Sequence, residues 1–179
     1  TWAESFIFAG SSALLFHIAN LFPIYWYFSF IALIPFLYRT TKATPNESLR
    51  LGILFGFSFF MISASSAIPT SLLLFIIKSL LGTGIFTLFT WAVVYINNRY
   101  GFKPVLVSLL WTGLEMTLFK LGFAIGFLPE AVIAHPFFHG LVVLFGFVTV
   151  SAIIVLLNSL LVLVITNHLL KKRPYGKAV

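Results

Sequence analysis

Cysteine is absent from this 179-residue chain, and only four residues are Asp or Glu. The first absence excludes disulfides, thiolate metal sites and thiol nucleophiles, and it leaves the redox compartment open. The four carboxylates fall in different segments, no Ser-His-Asp set is apparent, and no glycine-rich phosphate loop follows a strand. Catalytic residues are therefore not expected within these residues. No cleavable signal is recognisable in Trp2 to Ala19, which has neither a basic n-region nor an A-x-A-like site. The first residue is Thr1 rather than Met, as expected of a chain that has lost a short N-terminal piece. No internal repeat is clear.

Charge as a whole is scarce, at 8% of residues against 60% apolar, and the mean hydropathy is +1.08. These values belong to a polytopic membrane protein. The net charge of +7 does not point to nucleic acid, since the basic residues cluster between apolar runs and form no basic helical face or stacking platform.

The longest uncharged run, Leu141 to Thr166, ends against Lys171, Lys172 and Arg173. At about 1.5 Å per helical residue it is long enough to cross a hydrocarbon core of roughly 30 Å. Helices are expected near 5–19, 23–38, 51–64, 72–97, 104–121 and 137–170. The second opens at Pro23 with an interfacial belt of Tyr25, Trp26 and Tyr27, and Pro35 kinks its end. The third carries Gly52 and Gly56 at GxxxG spacing, which lets a neighbouring backbone approach closely. Between the fifth and sixth, Gly122 to Gly140 reads as re-entrant or interfacial structure. The prediction is an all-α bundle of about six transmembrane helices forming one domain over residues 1–179.

Lys and Arg set its orientation. Arg39, Lys42, Arg50, Arg99, Lys103, Lys171, Lys172, Arg173 and Lys177 all follow the second, fourth or sixth helix, and the opposite loops hold none. By the positive-inside rule both termini face the cytoplasm.

A few polar residues interrupt the apolar runs. Glu115 lies about 17 Å from the cytoplasmic end of its helix and Lys78 about 10 Å from the outer end of its own. Either they pair, with Lys120 reaching the outer headgroups, or the lysines snorkel and Glu115 is protonated or bonded to packing partners. Glu130, His135 and His139 complete an outer polar set. The two histidines have i, i+4 spacing, but no carboxylate completes a zinc set and Pro136 stands between them, so no metal is expected. His17 is open to packing or to axial ligation of a pigment or haem. The 22 phenylalanines read as lipid-facing and packing surface, and no cofactor is expected.

Five segments follow one another along the chain: Phe30-Ile-Ala-Leu-Ile-Pro35-Phe-Leu, Leu51-Gly-Ile-Leu-Phe-Gly56-Phe-Ser-Phe-Phe60, Leu110-Trp111-Thr-Gly-Leu-Glu115, Gly122 to Pro129, and Gly146 to Ser151 with Leu157-Asn158-Ser-Leu-Leu161. In that order they resemble the second, third and fifth helices, the outer loop and the sixth helix of the N-terminal membrane region of apolipoprotein N-acyltransferase, the bacterial inner-membrane enzyme that adds a third acyl chain to lipoproteins. The resemblance implies a multi-pass protein of the bacterial inner membrane. It also implies that acyl transfer would use a cysteine, a glutamate and a lysine of a nitrilase-like domain placed after a seventh helix. This chain reaches Val179 before that helix, and none of those residues maps onto it. The expected role is a lipid-binding or structural module working with membrane lipids and other integral membrane subunits. Alternatives are a fragment of the complete enzyme, a small transporter, and a pigment-binding accessory protein.

Overall fold

The computed structural model describes residues 1–63, 71–122, 128–133 and 135–171. Among these residues every regular element is helical. Part of the segment expected to be re-entrant or interfacial, residues 123–127 and 134, and also residues 64–70 and Lys172, Arg173 and Lys177, lie outside the described residues.

Capping chemistry starts the helices. Helix α1 (Trp2–Leu21) opens on a capping box in which Thr1 Oγ1 accepts from the Glu4 amide. Helix α3 (Pro45–Ser63) repeats the device: the Glu47 amide donates to Thr44 Oγ1 and the Thr44 amide to Glu47 Oε2. T-x-x-E satisfies two orphan donors at once. It starts α3 at Pro45, inside a stretch expected to be loop.

The second expected helix is broken. Pro23–Phe30 is a 3-10 helix, residues 31–33 turn, and α2 (Ile34–Thr40) restarts with Pro35 in its first turn. Proline has no amide hydrogen and its ring clashes with the carbonyl four residues back, so a continuous helix through Pro35 is disfavoured and a fresh start is not. The break exposes backbone groups that neighbours satisfy. Asn158 Oδ1 accepts from the Leu33 amide at 3.1 Å, and its Nδ2 donates to the Ser29 carbonyl at 2.9 Å. Ser12 Oγ of α1 accepts from the Phe36 amide at 2.9 Å. Asn158 is 0% exposed.

Helix α4 (Leu72–Tyr100), capped by Ser71, and α5 (Pro104–Lys120) agree with expectation within a few residues. The final expected helix does not run unbroken. A short α6 (Leu128–Val132) is followed by α7 (Pro136–Phe145) and α8 (Phe147–Lys171), divided at Gly146. Gly146 has φ +82°, a left-handed conformation that glycine adopts without penalty. Among the described residues three helices are long and apolar enough to cross a membrane: Trp2–Leu21, Leu72–Tyr100 and Phe147–His168.

Helices α3 and α4 meet along the GxxxG pair. A Cβ on Gly52 would stand 2.6 Å from Thr87 Cα, and one on Gly56 2.8 Å from Thr83 Cα. Both threonines are small, and Thr87 turns its hydroxyl onto the Thr83 carbonyl, so the backbones can touch. Around this contact Phe16, Phe36, Phe55, Phe59, Phe60, Phe86 and Phe89 bury with Trp111. Phe36 stacks on Phe55 at 4.2 Å, and Trp111 takes the edges of this cluster from α5. Many phenylalanines thus join helices to one another, while large side chains such as Leu80, Leu88 and Phe119 face outward, as suits a hydrocarbon solvent.

Two substitutions test this packing. Gly56→Val should destabilise the detergent-solubilised protein by about 1–3 kcal/mol through overpacking, whereas Gly84→Ala, with nothing within 4 Å of the added methyl, should leave the unfolding midpoint unchanged. Asn158→Leu should cost roughly 1–3 kcal/mol for each backbone group it orphans, read as loss of helical signal in a denaturant titration.

Candidate functional site

Helix α5 presents Ser108, Trp111, Glu115 and Leu118 on one buried face, the three- and four-residue spacing of a helical stripe. Ser108 Oγ donates to the Ala152 carbonyl at 2.7 Å and ties that face to α8. Beyond this tie the two helices leave a cleft of about 570 Å³, bounded by Glu115, Met116, Phe119 and Lys120 of α5, Glu130 of α6, and Phe147 and Val148 of α8. Its size is that of a small-molecule or acyl-chain site. Glu115 is 4% exposed, while Lys120 and Glu130 are exposed at the rim. Apolar walls with a buried carboxyl and a few rim charges suit an amphiphile better than a free ion.

The structure therefore gathers three of the outer polar residues, Glu115, Lys120 and Glu130, at one cleft. It does not gather the rest. Lys78 donates to the Gly122 carbonyl at 2.8 Å, beside the end of α5. His135 precedes α7 and packs its ring against Trp26 at 4.9 Å, while His139 is exposed. No group of three or more metal-binding side chains occurs among the described residues. Nε2 of His17 is 3.1 Å from the Phe59 carbonyl, and the ring packs beside Phe16 and Phe59, so that nitrogen is engaged in joining α1 to α3.

Several basic residues assigned to the cytoplasmic face meet at the start of α1 and α3. Arg39 Nη2 reaches Glu47 Oε1 at 3.1 Å and Glu4 Oε2 at 3.7 Å, and Arg50 Nη2 reaches Glu47 at 3.4 Å with its guanidinium over the Trp2 ring. Lys42 bonds the Tyr38 hydroxyl and lies over its ring, and Arg99 donates to Tyr95. Asn97 Nδ2 donates to the Thr41 carbonyl at 3.1 Å, bringing the end of α4 to the same place. Lys103 is the residue before α5, and Lys171 closes α8. Sequence reasoning treated these cations as topology markers and missed that Glu4 and Glu47 organise two of them. The signal was present as Thr1-x-x-Glu4 and Thr44-x-x-Glu47. Asn158, uncharged in the middle of the most apolar run, was the other overlooked residue.

Long apolar helices, an outward-facing apolar surface and a polar-rimmed cleft between helices fit an all-helical membrane domain. Residues 12–160 match the family model for the apolipoprotein N-acyltransferase N-terminal domain, and the chain belongs to that family. Comparison with curated proteins and with solved structures gave no match.

The ion cluster has a measurable acid response. The Glu47 carboxyl is held below the usual carboxylate range, first by the Thr44 amide, against the opposing effect of burial, then by Arg39, Arg50 and the Thr44 side chain. The unfolded chain thus binds this proton more tightly than the folded one. Its stabilisation is complete above the unfolded carboxylate value and is lost as pH falls through the lower folded value. The melting temperature in detergent should fall between about pH 5 and pH 3, and Glu47→Gln should flatten part of that fall. Equal slopes in the two proteins would assign the response to other groups.

Proposed function

We propose that this chain is a lipid-binding membrane module of the apolipoprotein N-acyltransferase type, with no acyl-transfer centre of its own. It works with catalytic machinery outside these residues, on the same polypeptide or on a partner membrane subunit. The observation that carries the reading is the cleft between α5 and α8, apolar along its walls and ionisable at Glu115, Lys120 and Glu130. The family's acyl-enzyme forms on a cysteine, and this chain has none. Membership of the family favours a fragment of the complete enzyme over a transporter or a pigment protein.

The module crosses the bacterial inner membrane about six times, with both termini in the cytoplasm. Contact of Glu4 with Arg39, and of Asn97 with Thr41, supports this orientation, because it brings the start of α1 and the ends of α2 and α4 to the basic face. Helix α5, of 17 residues, is close to the length that a hydrocarbon core of roughly 30 Å requires.

The cysteine-free background makes the test direct. Single cysteines at Glu130 and His139 should react with an impermeant maleimide applied to intact spheroplasts, and cysteines at Lys42 and Lys103 only after lysis; the reverse pattern overturns the orientation. Native mass spectrometry after mild extraction should show bound phospholipid, and Val148→Trp, which fills the cleft, should abolish it. Unchanged lipid in that variant removes the cleft from the proposal. Nitrilase-like peptides in the same polypeptide or in a fixed partner are expected, and a chain isolated without either overturns the catalytic association.

A further inference from the structure

Helix α5 has a second recess at its other end, about 25 Å from the cleft along the helix axis. It is a shallow hollow of about 490 Å³ lined by Tyr100, Lys103, Pro104, Val105 and Leu106. A tight turn makes it. Gly101, at φ +75°, closes α4 by donating its amide to the Asn97 carbonyl at 2.9 Å, and Pro104 opens α5 directly after Lys103. The turn leaves two cations, Arg99 and Lys103, on either side of it, both exposed.

Aromatic residues flank the turn. Trp91 and Tyr95 stack at 5.5 Å on the exposed side of α4, and the Tyr95 hydroxyl accepts from Arg99 Nη1 at 3.0 Å. The same guanidinium lies 5.6 Å from the Tyr100 ring, so Tyr100 joins Arg99 to the recess. Trp and Tyr collect at the headgroup level of a bilayer, and a guanidinium has five N–H donors, of which the Tyr95 bond takes one. The positive charge here is unbalanced. Of the four carboxylates in the chain, Glu4 and Glu47 hold Arg39 and Arg50, while Glu115 and Glu130 line the cleft at the far end of α5.

We propose that the α4–α5 turn binds one anionic phospholipid, its phosphate held by Arg99 and Lys103 and an acyl chain laid along Pro104, Val105 and Leu106. A zwitterionic lipid would bring its amine to a corner with no carboxylate to receive it, so a headgroup of net negative charge such as phosphatidylglycerol is preferred. The apolar side of the recess selects lipid over free phosphate, which would leave Val105 and Leu106 uncovered. This site is distinct from the α5–α8 cleft, and it stands whether or not that cleft holds lipid.

The test uses the full chain in phosphatidylcholine vesicles that carry a minor fraction of either brominated phosphatidylglycerol or brominated phosphatidylcholine. Bromine quenches tryptophan on contact. Trp91 lies about 12 Å further along α4 than Arg99, at acyl-chain depth, and the quenching lost in Trp91→Phe reports the lipid beside it. Phosphatidylglycerol should be enriched there roughly five- to thirty-fold over phosphatidylcholine, the factor that two cations near a lipid surface give. Equal quenching by the two lipids overturns the site. Arg99→Gln with Lys103→Gln should abolish the enrichment; should that pair lose its helical signal, Lys103→Gln alone decides, with a fall of about five-fold expected. Val105→Phe, which fills the recess and keeps both cations, should also lower it, and an unchanged ratio there overturns the recess. Lys42→Gln removes an exposed cation from the same end of the bundle and should change nothing, whereas a fall equal to that of Lys103→Gln would mean surface charge alone. Inorganic phosphate at millimolar concentration should leave the quenching as it was. Relief of quenching by phosphate would assign the corner to a free anion and overturn the lipid.

Discussion

Hydrocarbon offers no hydrogen-bond partners, so every peptide group that leaves a helix within the bundle must be met by another part of the chain. In this protein that demand falls on residues 29 to 36, where a 3-10 helix gives way to α2. Asn158 of α8 answers both the Leu33 amide and the Ser29 carbonyl, and Ser12 of α1 answers the Phe36 amide. These bonds fix the depth at which α8 and α1 lie against the broken segment. Because α8 is placed this way, its contact with α5 through Ser108 is placed too, and the cleft above that contact follows.

The two ends of the bundle are built from different physics. One end is held by charge: two capping-box glutamates share Arg39, and Arg50 closes the set against Trp2. Each carboxylate sits in the first turn of its helix, where the helix dipole favours negative charge, so capping and ion pairing reinforce each other. The other end has apolar walls, glycine breaks and few polar anchors, with Lys78 donating to the Gly122 carbonyl and the aromatic group around Trp26. Charge therefore organises one end of the bundle, and apolar and ring packing the other.

Much of the helical plan was legible because apolar runs of the right length, Pro and Gly punctuation and clustered cations are local signals. Helices α4 and α5 came within a few residues of their expected bounds, and Gly52 with Gly56 marked a real close approach. The errors share one cause. Pro35 was read as a kink and Gly146 passed unmarked in a continuous helix, because neither residue shows locally whether a partner exists elsewhere to satisfy a broken backbone. For Lys78 and Glu115 depth left pairing and snorkelling both open, because depth along two helices does not specify which faces meet.

By itself, then, the sequence determined the apolar character, the helical class and the family, since composition, length and motif order are properties of the chain read in one dimension. The tertiary structure decided where the second and last helices break, which of the scattered polar residues share a cleft, and that Asn158 is a strut. Those depend on contacts between residues as far apart as Leu33 and Asn158, and such contacts arise only when packed helices bring distant groups within hydrogen-bonding distance.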